Sequence, residues 1–134
     1  RLICVFGCGG DRDRGKRPIM GGIASRLASV AVLTSDNPRS EEPLSILKEI
    51  EIGVKKVSTG GVTHVTISDR REAIGAVLAE ARGGDVVVIA GKGHEAYQVL
   101  RDRTTPFDDR VVARETLAAL GYSAAGGGPV SEDR

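Results

Sequence analysis

Three short stretches of this chain carry residue types that do chemistry. Asp36-Asn37-Pro38-Arg39 sets a carboxylate, an amide and a guanidinium on one turn stiffened by proline. Gly91-Lys92-Gly93-His94-Glu95 flanks a lysine with two glycines, which lets backbone approach a ligand closely. Gly7-Cys8-Gly9-Gly10-Asp11-Arg12-Asp13 is glycine-rich and strongly charged. A carboxylate such as Glu95 suits an ammonium, and guanidinium groups such as Arg12 and Arg39 suit a carboxylate. His94 is able to donate or shuttle a proton near neutral pH. The combined chemistry is recognition of a small molecule that bears both an ammonium and a carboxylate.

Each residue also has a plainer reading. Arg39 could form an exposed ion pair with Glu41 or Glu42, worth little. Asp36 and Asn37 are common turn formers. His94 could simply hold a neighbouring loop, and His64, inside a strand, reads as structural. The first stretch invites two nucleotide motifs and breaks both. It begins like G-x-G-x-x-G but has Arg12 where the third glycine belongs. Gly10 to Arg17 reads G-x-x-x-x-G-K, yet Arg17 replaces the Ser or Thr that would hold magnesium, and Asp11 and Asp13 put negative charge where phosphates would lie.

The elements around these stretches decide whether they can meet. Leu2–Phe6, Val30–Thr34, Val62–Ile67 and Asp85–Ala90 read as strands, each followed by a loop or turn. Between them lie helical patterns. Ile19, Met20, Ile23 and Leu27 mark the first, with Pro18 in its opening turn. Pro43 opens the second, with Leu44, Leu47, Ile50 and Ile52. Ser68 or Asp69 caps the third, which carries Ala73, Val77, Leu78 and Ala81 and stops at Gly83-Gly84. Tyr97–Leu100 and Thr105–Phe107 pair as a hairpin across Arg101–Thr104. Asp108 or Asp109 then caps a last helix with Val111, Val112, Leu117 and Leu120. The order β-α-β-α-β-α-β, then hairpin and helix, predicts an α/β, Rossmann-like fold with a mostly parallel sheet flanked by helices. All three stretches follow strands, so the fold gathers them at one edge of the sheet.

Composition narrows the class of partner. At 134 residues the chain fits one domain with a core of its own. Lys and Arg exceed Asp and Glu by a single charge, and aromatics are 3%, so neither a bulk field nor stacking faces point to nucleic acid. No apolar run reaches the roughly 20 residues of a membrane span. Cys4 and Cys8 could form a disulfide or half a metal site, but a lone C-x3-C with no matching Cys/His pair reads rather as reduced, structural or incidental thiols, which fits a cytoplasmic protein. The stretch from 123 to 134, with its triple glycine and polar residues, is expected to be a disordered tail after a domain at 1–122.

Taken in order, the three stretches closely resemble the C-terminal domain of the Mur ligase family, over about residues 1–122. D-N-P-R resembles the motif of the members that add meso-diaminopimelate to a peptidoglycan precursor. The resemblance implies a cytoplasmic, ATP- and Mg2+-dependent amide ligase, with both cofactors bound mainly by other domains. In the family, the D-glutamate carboxylate of UDP-MurNAc-L-Ala-D-Glu becomes an acyl phosphate, which the diaminopimelate amine attacks. The family's amino-acid contacts map onto Arg12, Asp36, Asn37, Pro38, Arg39, Gly91 and Glu95. No catalytic residue is implied, and His94 is the one candidate. The resemblance also implies that the start of the domain precedes Arg1 and that this chain alone is inactive. Two other readings stay open: a Mur or folylpolyglutamate-type ligase domain using another amino acid, and a non-catalytic anion- or nucleotide-binding module.

Overall fold

A computed structural model describes residues 1–57 and 63–122. The expected tail and the Gly60-Gly61 turn lie outside the described residues. The elements are β1 (Leu2–Phe6), α1 (Lys16–Leu27), β2 (Val30–Leu33), α2 (Pro43–Val57), β3 (Thr63–Thr66), α3 (Arg70–Glu80), β4 (Val86–Ile89), β5 (Tyr97–Val99), β6 (Thr104–Pro106) and α4 (Asp109–Ala119). β1 to β4 form a parallel sheet in the order β3-β2-β1-β4. β5 and β6 form a separate antiparallel hairpin. The α/β class, the parallel sheet and the hairpin are as the sequence predicts.

Strand alternation splits the interior into two cores. Phe6 and Leu33 face one side with Ile46, Leu47, Ile50 and Val54 of α2. Ile3, Val5 and Val32 face the other side with Ala73 and Val77 of α3. The strand order reverses between β1 and β4, so the loops after those strands border the crevice where such sheets bind ligands.

Several sequence expectations about burial are corrected. Ile19, Ile23 and Leu27 do not face the core; they are 60%, 42% and 72% exposed. The buried face of α1 is instead Arg17, Gly21, Gly22 and Ser25. Small residues there let α1 lie almost backbone to backbone on α2. A Cβ on Gly53 would stand 1.7 Å from the Pro18 carbonyl oxygen, and one on Gly21 would stand 2.2 Å from that of Ile50. Leu44 and Ile52 of α2 are also exposed, as are Val111 of α4 and Leu120, its cap. In β4, Val87 and Ile89 pack against the α3 core, while Val86 and Val88, on the opposite face of this edge strand, are exposed. α3 buries Ile74 as well as Ala73 and Val77, and it ends at Glu80 with Ala81 as cap, before the glycine pair.

The close helix contact makes one expected result simple to state. Gly53→Ala gains up to about 1 kcal/mol of helix propensity. It also forces an atom into the Pro18 carbonyl, and overpacking of that kind costs about 1–3 kcal/mol. The clash wins, and the melting temperature falls; an unchanged or higher midpoint by circular dichroism would show that α1 and α2 separate freely.

Candidate functional site

The loops after β1, β2 and β4 converge, and backbone contacts fix how. Gly10 N–H donates to the Asn37 carbonyl at 2.8 Å, joining the first loop to the second. The approach depends on glycine, since a Cβ on Gly10 would lie 1.7 Å from the Pro38 carbonyl oxygen. Arg39 N–H donates to the Val99 carbonyl at 3.0 Å, joining the second loop to the hairpin. Gln98 Nε2 adds a bond to the Asp36 carbonyl at 2.8 Å. β5 therefore lies along the Asp36–Arg39 turn, a placement that no local pattern in the sequence signals.

Arg39 occupies left-handed backbone at φ 54°, uncommon for a non-glycine residue and typical of strained functional turns. Its Nη1 donates to the Gly10 carbonyl at 2.9 Å. The expected alternative, a pair with Glu41 or Glu42, does not occur: neither Arg39 nor Arg12 has an ion-pair partner among the described residues. The two arginines flank the same glycine. A Cβ on Gly9 would meet Nη1 of Arg39 at 2.8 Å and Cγ of Arg12 at 3.5 Å. The Arg39 guanidinium, with the exposed Arg12 side chain next to it, offers charged donors to an anion such as a carboxylate.

Opposite charge lies in the neighbouring loop. Asn37 is buried and bridges: its Nδ2 donates to Glu95 Oε1 at 3.2 Å, and its Oδ1 accepts from Val99 N–H at 3.0 Å. Asp36 is half-buried, and its Oδ1 is shut off from solvent with no hydrogen-bond partner. Burial pushes its carboxyl pKa upward, against the pull of Arg70, Lys92 and Arg39. Gly91, at φ +107°, passes close to Asp36: a Cβ there would lie 3.6 Å from Oδ2. Pro38 is buried beneath the turn. The structure thus brings Arg12, Asp36, Asn37, Pro38, Arg39, Gly91 and Glu95 into one loop cluster. His94 is exposed and makes no side-chain hydrogen bond among the described residues. His64 pairs with Glu51 at 2.9 Å, away from the cluster, as a structural residue would.

Sequence reading missed the supports of this cluster. Arg17, fully buried, donates to both oxygens of Glu41 at 3.0 and 2.8 Å, to Glu49 at 3.2 Å and to the Gly9 carbonyl at 3.0 Å. Glu41 also accepts from Asp11 N–H at 2.6 Å, while Asp11 accepts from Ser40 Oγ at 2.6 Å. In the sequence Arg17 signals only a spoiled phosphate loop; its position in α1 beneath that loop is what makes it a clamp. The same contacts decide the nucleotide question for this stretch. Asp11 and Asp13 are spent inside the loop, Asp13 on Gly15 N–H at 2.8 Å, and their charge opposes a phosphate. Among the described residues no group of three His, Cys, Asp or Glu gathers to hold a metal ion. The loop does not fit ATP phosphates or Mg2+.

The Arg17 clamp has a pH signature. Hydrogen bonding from Arg17 holds the Glu41 carboxyl down to about 2, from the usual 4.5. A depressed carboxylate stabilises the fold above the unfolded-state value and loses that contribution as pH falls toward the folded one. Acid titration of the melting temperature should therefore fall less steeply for Glu41→Gln than for the parent chain between about pH 4.5 and pH 2. Parallel curves would remove the clamp from the stability of the loop.

The described helices include none long and apolar enough to cross a membrane. A family model for the Mur ligase, glutamate ligase domain, matches residues 1–93. This chain belongs to the Mur ligase family. It is 55% identical over 122 residues to the UDP-N-acetylmuramoyl-L-alanyl-D-glutamate--2,6-diaminopimelate ligase of Solibacter usitatus, covering 91% of this chain and 24% of that protein. It is 60% identical over 116 residues to the ligase of the same name from Geobacillus thermodenitrificans, covering 87% of this chain and 23% of that protein. A solved structure of a ligase of that name superposes with a TM-score of 0.83 at 48% identity, over 92% of this chain and 25% of the other. The chain spans about a quarter of the length of the curated Mur ligases it matches. Its kinship to them agrees with the resemblance carried by the three loops.

Proposed function

We propose that this domain recognises meso-diaminopimelate as the incoming amino acid of an ATP-dependent ligase that extends UDP-MurNAc-L-Ala-D-Glu during peptidoglycan synthesis. The observation that carries the reading is the Arg39 guanidinium, which lies against Gly9 beside the Arg12 side chain and has no acidic partner among the described residues, in the same loop cluster as the carboxylates of Asp36 and Glu95. The relatives' names, which specify 2,6-diaminopimelate, support it. Diaminopimelate differs from lysine by a carboxylate on the distal carbon. Arg39 and Arg12 bind that carboxylate, and Glu95 with Asp36 binds the ammonium beside it. The other amine is left free to attack the activated carboxyl of D-glutamate. Lysine would leave the half-buried Arg39 guanidinium unmatched, a loss of about 1.5–3 kcal/mol or more for a hydrogen bond to a charged group.

In this reading ATP and Mg2+ belong to the ligase and are bound mainly by other domains, since the first loop does not fit them. The 134-residue chain by itself forms no amide, and the location is cytoplasmic. The test is a ligation assay on the full-length polypeptide with ATP, Mg2+ and UDP-MurNAc-L-Ala-D-Glu, offered meso-diaminopimelate or L-lysine. Diaminopimelate-dependent product with little lysine product is expected. Equal use of lysine would overturn the specificity, and product from the isolated chain would overturn the division of labour.

A further inference from the structure

Lys92, one of the charges that pull on the Asp36 carboxyl, has a side chain wholly excluded from solvent. A buried ammonium is costly unless paired and hydrogen-bonded. Lys92 Nζ donates to the Tyr97 carbonyl, lies 5.7 Å from the centre of the Tyr97 ring, and stands 3.7 Å from Glu95 Oε1. A tight turn makes this possible: Glu95 N–H donates to the Lys92 carbonyl at 3.1 Å, with Gly93 in left-handed backbone between them. The oxygen near Lys92 is also the one that accepts from Asn37 Nδ2. Glu95 Oε1 is therefore approached from two sides, while Oε2 has no hydrogen-bond partner among the described residues.

We propose that Lys92 is a positioning residue for amino-acid recognition: with Asn37 it fixes Glu95 Oε1 and so presents Oε2 to the ammonium of the incoming amino acid. The inference rests on the amino-acid-recognition reading above. Glu95 is about one-third exposed and, unheld, would sample other rotamers in water. Holding one oxygen in advance removes that ordering cost from binding. Charge points the same way. Asp36 and Glu95 are two carboxylates for one ammonium, and the Lys92 charge brings the group to a single net negative.

The competing explanation is that Lys92 merely anchors β5 through the Tyr97 carbonyl. A double-mutant cycle separates the two in the full-length ligase, with KM for meso-diaminopimelate, KM for ATP and kcat measured for Lys92→Met, Glu95→Gln and the double variant. We expect Lys92→Met to raise the diaminopimelate KM about tenfold or more, within the range for coupled neighbours. The KM for ATP and kcat should stay within about twofold of the parent. In the Glu95→Gln background, Lys92→Met should add little. A Lys92→Met enzyme with parental diaminopimelate KM, or single effects that multiply in the double variant, overturns the proposal. If Lys92→Met does not yield folded enzyme, Lys92→Gln, which keeps a donor for the Tyr97 carbonyl without the charge, takes its place under the same two outcomes. A parent ligase that makes no diaminopimelate product would instead defeat the underlying function, so the two failures are distinguishable.

Discussion

Arg39→Ala in the full-length ligase is expected to raise the KM for meso-diaminopimelate by about 30-fold or more, with the KM for ATP little changed. The magnitude follows from truncating one partner of a desolvated charge pair, which costs about 2–5 kcal/mol. Arg39 has a second contact, Nη1 to the Gly10 carbonyl, so some loosening of the first loop accompanies the loss. Arg39→Lys separates the two effects. It keeps the charge but loses the planar fork, so it should recover only part of the affinity. Discrimination against lysine should weaken in parallel, because the pocket no longer holds an unmatched guanidinium. Unchanged diaminopimelate kinetics for Arg39→Ala would take the second loop out of amino-acid recognition.

The largest stability loss is expected for Arg70→Ala. Arg70 is fully buried at the start of α3 and grips Asp109 with two bonds, at 2.8 and 2.7 Å. Its remaining donors reach the Ser35 carbonyl at 3.0 Å and the Ala90 carbonyl at 3.1 Å. One side chain thus ties the ends of β2 and β4 to the first turn of α4. Removing it leaves a buried carboxylate and two carbonyls without their donor, and breaking a buried ion pair costs about 3–5 kcal/mol. For a domain of this size that lowers the melting temperature by roughly 10 °C or more. Replacing both partners by apolar residues, Arg70→Met with Asp109→Leu, should recover part of the loss, since no charge is then stranded. A single variant that melts within about 2 °C of the parent would show that Asp109 finds water instead. Because Ser35 and Ala90 directly precede Asp36 and Gly91, Arg70→Ala should also weaken diaminopimelate binding.

Much of the fold was legible because strand and helix periods are local. Val30-Ala31-Val32-Leu33 reads as a buried strand and is one, and the structure pairs it on both sides. Asp69 and Asp108 read as helix caps, and each accepts from the amide two residues on. Burial was less legible. Ile19, Ile23 and Leu27 recur at helical spacing, but that pattern does not say which partner the face meets, and the glycine face of α1 packs instead. Val86 and Val88 look identical to core valines; strand order alone leaves them at an edge.

The elements, their βα alternation and the three loops, and with them the family, follow from residue types a few positions apart in the chain. What each charged residue does follows only from the folded arrangement. Arg17, Arg39 and Arg70 are chemically equal in the sequence, yet one clamps two glutamates, one has no acidic partner among the described residues and one ties two strand ends to a helix. Lys92 and Glu95 likewise acquire meaning only beside Asn37, 55 and 58 positions away in the chain. A charge takes its role from its partners and its exposure to water, and both are set by contacts between residues remote in sequence.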